Sequence, residues 1–530
     1  MKSTGRRSFR RAKALLSVLA LLSLGVGAGG STGAYFTAAN SIKGNALSSA
    51  TLSSPEGLSV VGGNNSDSIS WSSATNQSWA VSNNVSSGVT YTLSRAYPNQ
   101  GYETVYSGSG TSYTDPGAQQ TALKYKQVSS GFTHTLGLTE DGRVYSWGSN
   151  NAGQRAYEDT VKYSFPTKVT LPGTAVQVEA GYEFSLALLQ DGTVYAWGRN
   201  DYGQLGDGTL TLKKTPTKVN LPSNVVISSL SHLAPRSFDA FAVTTAGDVY
   251  AWGRNGRGQL GIGSGVDQNI PVKVSGTYKS VAAGDLHTLA IDNYGDLWVW
   301  GYGKDGRLGD GATNGYDRPT RISRDKDGSW LPPFTDIRAG LAFSLAVDNS
   351  GRVWITGSMF DDVTPGRGYF EQLSLPAPAV AIAAGQHTAC AILNNQQLWC
   401  WGSNEGTSSL LGDGTQQTQR YPIRNQMTGN LPVQSVTIGF YNVFAITTQQ
   451  DSAKSNVLAW GLDDDYQRGT GQDPTPSNST KQYAEWVYPT LVCPSGSSRR
   501  GSYCTIPSGT TYSLKYSYLG WTSPVSTQTK

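Results

Sequence analysis

The chain has 530 residues, with 63 glycines, 28 tyrosines and only 15% charged side chains, which suits a β protein with many tight turns. Its formal net charge of +4 misleads, because Lys2, Arg6, Arg7, Arg10, Arg11 and Lys13 all precede residue 14, and without them the net falls to −2. No basic excess remains for nucleic acid, so a nucleic-acid partner is excluded.

Those charges lead into ALLSVLALLSLGVGAG at 14–29 and then small residues. A positive run before an apolar stretch too short for a bilayer predicts an export signal segment over 1–33, with a retained signal anchor as the alternative. GRRSFRR at 5–11 partly resembles a twin-arginine signal, which leaves the export route open. Residues 34–54 read as a linker, and TGAYFTAANSIKGNALSSATL at 32–52 resembles the start of certain exported bacterial surface proteins. The chain ends in STQTK, with no sorting motif to support covalent anchoring. A secreted or cell-surface location follows as the expectation, with no membrane span in the mature chain.

Residues 55–118 alternate at period two between turn signals: Ser68-Ile69-Ser70-Trp71, then Thr90 to Arg95, Tyr102 to Tyr106 and Thr111 to Asp115. The pattern resembles a fibronectin type III sandwich with Trp71 in its core, but its last two strands are missing. TTYSLKYSYLGWTSPVSTQ at 510–528 has their alternation. One sandwich over 55–118 and 505–530, split by an insertion, is the favoured reading. An incomplete sandwich with an unrelated tail is the other, and it leaves an open edge and half a core.

Between the halves one phrase recurs. GRVYSWGSN at 142–150, GTVYAWGRN at 192–200, GDVYAWGRN at 247–255 and GDLWVWG at 295–301 are the strong copies; GRVWITG, QLWCWGSN and VLAWG are the weak ones. The anchors Trp147, Trp197, Trp252, Trp300, Thr356, Trp401 and Trp460 lie 45 to 59 residues apart, which makes seven units. Each unit predicts four strands. They are a Val/Ala segment ending in glycine, an alternating run such as FSLAL at 184–188, the Trp-Gly strand after a tight turn, and a Pro-x-x-Val piece. Pro166, Pro216, Pro271 and Pro319 each follow their anchor by 19 residues, Pro422 by 21 and Pro489 by 29; unit five has a poor match near Pro376. Four-stranded units that bury both faces only by radial stacking make a seven-bladed β-propeller over 124–492. Residues 489–492 are expected to close the ring beside the first blade.

GRNDYGQLGDGT at 198–209 and GRNGRGQLGIGS at 253–264 resemble the regulator of chromosome condensation family, and the likeness extends unevenly through every unit. That resemblance implies roles such as exchange factor for small nuclear GTPases or secreted protein inhibitor of an enzyme. An export signal and paired cysteines conflict with the nuclear role.

Four cysteines in an exported chain favour two disulfides. Cys390 and Cys400 flank a predicted hairpin turn, and Cys493 and Cys504 would close a small exit loop over 493–504. Local pairing is one of three connectivities. No metal is expected, since no Cys-x-x-Cys spacing occurs. His134 and His287 fill the repeat position held elsewhere by Phe184 and Phe343, so packing with a bond to a buried backbone group is expected of them. The Gly-Gln-Leu-Gly pieces lack the Lys-Ser/Thr of a phosphate loop and read as turn geometry, and no catalytic triad order or paired-carboxylate site stands out. No catalytic residue and no cofactor is therefore assigned, and the chain is expected not to be an enzyme.

Three departures from the repeat, SHLAPRSFD at 231–239, SMFDDVTPGRGYF at 358–370 and LDDDYQRG at 462–469, fall on one face by alternation of strand direction. Function is grafted onto such loops. His232, Arg236, Phe238, Phe360, Asp361, Asp464, Tyr466 and Arg468 are the binding candidates, set against simple drift of loops. Mixed aromatic and charged loops suit recognition of an extracellular protein or glycan. An adhesion protein is the leading expectation, an enzyme inhibitor the second and a propeller enzyme the third. RDKDGSWLPPF at 324–334 and QQDSAKSN at 449–456 fall on the opposite face.

Overall fold

Every repeat folds as an antiparallel sheet of four strands in chain order, A to D from the hub outward. Blade 1 consists of Tyr125–Ser130, His134–Thr139, Val144–Gly148 and Tyr163–Lys168. Blades 2 to 7 span 175–218, 227–277, 280–322, 334–372, 379–424 and 433–486. The protein is thus an all-β seven-bladed propeller. This computed structural model describes residues 123–487 apart from 159, 161, 361–366, 405–408, 449–454 and 471–479, and outside that span only the backbone of strands.

Residues 120–492 form one unit, and 1–119 with 493–530 form another. In the terminal unit, Thr511–Tyr518 pairs antiparallel with Thr90–Ala96, which also pairs with Glu103–Gly108. One sheet therefore draws strands from both ends of the chain. Ser59–Gly62, Asp67–Ser70 and Ser112–Asp115 make a second sheet. Within 34–54, expected as linker, Asn40–Ile42 pairs with Asn45–Leu47. The export segment, Trp71, the Trp521 side chain and the expected Cys493–Cys504 pair lie outside the described residues.

The anchor tryptophans explain how blades join. Each is fully or almost fully buried, and among the described residues every indole N–H except that of Trp401 donates to a carbonyl in the C–D turn of the preceding blade. Trp197 Nε1 reaches Gln154 O at 2.9 Å, Trp252 reaches Gln204 O at 2.9 Å, Trp300 reaches Gln259 O at 2.7 Å and Trp460 reaches Leu410 O at 2.9 Å. Where the anchor is Thr356, its hydroxyl donates to Gly306 O at 2.9 Å and so keeps the bond. The Gly-Gln-Leu-Gly turns do more than supply geometry, since the same carbonyls also accept a hydroxyl from strand B of the next blade. Ser185 Oγ donates to Gln154 O and Thr288 Oγ1 to Gln259 O, whereas between blades 4 and 5 the two bonds use adjacent carbonyls, Thr356 taking Gly306 O and Ser344 Oγ taking Arg307 O. Burial makes each such bond costly to lose.

The ring closes by the same contact. Trp147 Nε1 and Thr135 Oγ1 both donate to Gln467 O of blade 7, at 2.8 and 2.9 Å. Asn456 Nδ2 donates to Tyr125 O and its Oδ1 accepts Tyr125 N. Blade 7 takes its outer strand from Thr480–Trp486, ahead of Pro489, and residues 489–492, expected to close the ring, lie outside the described residues. In blade 5 the outer strand is likewise Arg367–Gln372, ahead of Pro376.

Two glycine columns follow from this packing. The glycine after each anchor has φ between +85° and +113°, in the region closed to most side chains, where the C strand breaks register with D. The glycine ending strand A lies under the first side chain of strand B: a Cβ at Gly181 or Gly340 would enter the Phe184 or Phe343 ring.

His134 and His287 each bond to a serine side chain of the next blade. Nε2 lies 2.8 Å from Ser185 Oγ in one case and 2.9 Å from Ser344 Oγ in the other. Each hydroxyl gives its own hydrogen to a carbonyl, so each imidazole donates from Nε2. Where the histidine is replaced by Phe184 or Phe343, the next blade presents Ala240 or Ala389 in the same core cluster. The position is therefore filled by a polar pair or an apolar pair, matched across the blade boundary. Cys390 and Cys400 face each other in register on strands B and C of blade 6 and form a disulfide with Cα atoms 4.0 Å apart.

Burial, with the charge of Arg155 added, holds the His134 imidazole down at about 3, against 6.5 when unfolded. A depressed folded value gives stability that is complete above 6.5 and lost as pH falls from there towards 3. Ser185→Ala alone leaves a buried N–H unpaired and should cost about 1–3 kcal/mol. His134→Phe with Ser185→Ala recreates the Phe184–Ala240 pair, so the double variant should recover most of that loss and show less acid sensitivity. Urea denaturation at neutral and mildly acidic pH, run as a double-mutant cycle, checks both outcomes.

Candidate functional site

The A–B loops of all seven blades converge at one end of the hub, and strand alternation places the C–D turns on the same face. At this end the residue following the strand-A glycine is aromatic in three blades: Phe132, Tyr182 and Phe440. Their rings form a chain, with Phe440 4.4 Å from Phe132, Phe132 4.6 Å from Tyr182 and Tyr182 4.5 Å from Phe238. Tyr202 meets Phe238 at 5.3 Å and Tyr441 meets Phe440 at 4.2 Å. Arginines cover the rings. Arg254 lies 5.3 Å from Tyr202 and 5.6 Å from Phe238, Arg199 lies 5.7 Å from Tyr182, and Arg236 lies 6.0 Å from Phe440. Blades 4, 5 and 6 carry Asp285, Leu341 and Gln386 in the same column, so aromatic residues at that position belong to blades 1, 2 and 7.

The 231–239 insertion does not project as expected. It lies across the end of the hub. His232–Leu233 pairs in parallel with Ala282–Ala283 of blade 4, Ala234 N donates to Ala283 O, and Tyr182 N of blade 2 donates to Ser237 O. Arg236 crosses to the Phe440 ring of blade 7. Ser231, Ala234, Ser237 and Asp239 are buried, so the insertion is a plug, and only Phe238 and Arg236 of its candidates join the rim. His232 stays 43% exposed, with its Nδ1 3.5 Å from the buried carboxylate of Glu179.

The other candidates are dispersed. Phe360 packs against the blade 5 core under Arg420, whose guanidinium lies 4.7 Å from its ring. Asp361 lies outside the described residues. Asp464 is exposed, and Tyr466 is half-buried with φ of +59°. Arg468 is a correction: its side chain is 1% exposed, held between Asp463 at 3.3 Å and Glu485 at 3.4 Å, so it serves blade closure and not a surface. Phe132, Tyr182, Tyr202, Phe440, Tyr441, Arg199 and Arg254 were missed. Aligning the residue after each strand-A glycine as a column finds three of them.

Beneath the plug sit two carboxyls. Burial, reinforced by the nearby Asp285 charge and opposed by the Ser237 hydroxyl donating to it, pushes Asp239 up to about 8. Burial also raises Asp285, while Arg236, Arg254 and Arg307 pull it back. No group of three or more His, Cys, Asp or Glu positioned to hold a metal ion occurs among the described residues. No helix among them is long and apolar enough to cross a membrane.

Residues 141–188, 191–231, 246–291 and 294–347 match the regulator of chromosome condensation (RCC1) repeat, and a second RCC1 repeat profile matches 125–154, 175–204, 278–307 and 379–406. RCC1 repeats are thus recognised within blades 1 to 6 of the propeller. Among characterised relatives, the human E3 ubiquitin-protein ligase HERC2 is 32% identical over 286 residues, covering 51% of this chain and 5% of HERC2. The ultraviolet-B receptor UVR8 of Arabidopsis thaliana is 29% identical over 244 residues, covering 44% of this chain and 52% of UVR8. The match thus spans about half of one relative and a small part of the other. Prp20p of Saccharomyces cerevisiae, whose binding to Gsp1p and histones has been described, superposes with a TM-score of 0.53 at 23% identity, over 62% of this chain and 83% of Prp20p. Human WBSCR16 gives 0.54 at 18% identity, over 68% of this chain and all of that one. At those identities the solved structures show the fold alone. RCC1 propellers typically mediate protein binding.

Because Asp239 is raised from 3.8 to about 8, its contribution to stability is complete below 3.8 and lost as pH rises through 8. Asp239→Asn keeps the shape and removes the ionisation. The variant should unfold at higher urea than the parent at pH 9, with the advantage vanishing near pH 4; equilibrium denaturation across that range checks it.

Proposed function

We propose that this RCC1 propeller is a protein-binding module of an exported, cell-surface or secreted chain, acting by recognition and not by catalysis. The observation that carries the reading is the aromatic and arginine arc on a rigid end of the hub. Half-buried rings under guanidinium groups have the composition of binding hot spots. Tyr441 is 38% exposed at the edge of the arc, and its neighbour Phe440 is packed beneath it. The plug fixes Phe238 between Tyr182 and Tyr202, so little side-chain entropy remains to be lost on docking. Extracellular display rests on the signal-like segment at 1–33, and the buried Cys390–Cys400 bridge favours an oxidising compartment.

The terminal unit, on this reading, is a fibronectin type III-like sandwich interrupted by the propeller. The pairing of Thr511–Tyr518 with Thr90–Ala96 supports it, as does a second three-stranded sheet in the same unit.

The chain recovered from culture medium should enrich one surface or secreted protein after cross-linking. Surface plasmon resonance against that protein should show Tyr441→Ala and Arg254→Ala weakening binding about tenfold or more each. If both variants bind like the parent, the arc is not the interface. If the captured protein is a hydrolase whose turnover stops in a stoichiometric complex, the module is an inhibitor acting through the same arc.

A further inference from the structure

The opposite face of the propeller carries a second feature, independent of the arc. A cleft of about 340 Å³ opens between the outer strand of blade 3 and the B–C turn of blade 4. Thr277, Asp292, Asn293, Tyr294, Trp298 and Pro319 line it. It exists because the outer strand of blade 3, Gln268–Thr277, is ten residues long where those of blades 1, 2 and 6 have six. The extension builds one wall, and Tyr278 beyond it meets the Trp298 ring edge-on at 5.9 Å. Tyr294, at the mouth, is 84% exposed.

Blade 5 has the same turn in a closed form. Asp348 accepts Ser350 N and Arg352 N on Oδ1, and Trp354 Nε1 at 3.1 Å and Arg352 Nε at 2.6 Å on Oδ2. Four donors fill the carboxylate. In blade 4, Asp292 accepts Tyr294 N and Asp296 N on Oδ1 and Trp298 Nε1 at 3.0 Å on Oδ2. Where blade 5 has Arg352, blade 4 has Asp296, which turns away to pair with Arg321. Asp292 therefore keeps one acceptor direction open beside the cleft, and no cation pairs with it among the described residues.

We propose that this cleft binds a neutral sugar ring of a glycan. Trp298 and Tyr294 offer flat faces for the apolar side of a pyranose, and Asp292 accepts a hydroxyl in the direction left open. The hydroxyl of Thr277 and the amide of Asn293 border the remaining polar edge. A proline-rich peptide fits less well. Its prolines lack the N–H that the open acceptor direction at Asp292 calls for, and the indole N–H of the cleft is already given to Asp292. The site takes an acceptor-seeking ligand on an aromatic platform, in a concave surface with a few placed polar groups.

The full exported chain is titrated with hexasaccharides of glucose, mannose, galactose and N-acetylglucosamine, followed by saturation-transfer NMR and calorimetry. One series should bind, and Tyr294→Ala should weaken it about tenfold or more. Asp296→Arg, which copies the closed turn of blade 5, should weaken it comparably, while Tyr441→Ala on the other face should leave it unchanged. The proposal is overturned if no hexasaccharide binds up to about 10 mM, or if Tyr294→Ala binds like the parent. A proline-rich decapeptide that binds with the same sensitivity to Tyr294→Ala also overturns it. Should Asp296→Arg fail to fold by near-ultraviolet circular dichroism, the exposed Tyr294 decides the matter alone.

Discussion

A single carbonyl oxygen per blade, in the turn between the two outer strands, holds the ring together. It receives an indole N–H, and in several blades a hydroxyl, from the next blade, so each sheet completes the polar satisfaction of its neighbour. A sheet whose two faces are apolar gains burial against any neighbour; the directional bond is what fixes rotation and spacing. Blade 5 shows the dependence by exception. Its C–D segment has lost the glycine motif, and Trp401 of blade 6 has no bond to its Nε1 among the described residues. The Cys390–Cys400 bridge lies in that same blade 6, where a covalent link between strands B and C accompanies the missing hydrogen bond.

At the hub, the wiring is by side chains reaching backbone across blades. Thr437 donates to Val128 O, Gln127 exchanges bonds with Val178, and Gln177 does the same with Leu230. From blade 3 to blade 4 the link becomes a short parallel strand pair supplied by the insertion. One insertion thus does two things: it replaces a side-chain link with backbone pairing, and it sets Phe238 and Arg236 among rings from blades 1, 2 and 7. Rigidity of the arc and closure of the hub have one cause.

The repeat period, the seven anchors and the order of strands within each blade were legible because Trp-Gly and the turn residues recur at nearly fixed spacing. The disulfide was legible too, since two cysteines flanking a tight hairpin must face each other. What sequence obscured was direction across the hub. The insertion at 231–239 is polar enough to read as a solvent loop, yet Ser237 and Asp239 are buried and bond to each other inside the protein. Arg468 misled similarly, because its partners are Asp463 in the turn after Val457–Leu462 and Glu485 on the outer strand, and their burial is not written in any local pattern. The histidines were placed in the core correctly, but their serine partners sit 51 and 57 residues away, and only the match of His with Ser and Phe with Ala betrays the pairing.

The sheet that joins Thr90–Ala96 to Thr511–Tyr518 has a kinetic corollary. During synthesis its first strands emerge some four hundred residues before their partner, with an exposed hydrogen-bonding edge all that while. The propeller, whose contacts run mostly between consecutive repeats, can mature in the interval, whereas the terminal sheet must wait for the ribosome to finish. Closing that long loop is entropically cheaper once the intervening chain has condensed. The wheel is therefore made first, and the rim that encloses it in sequence is the last part to set.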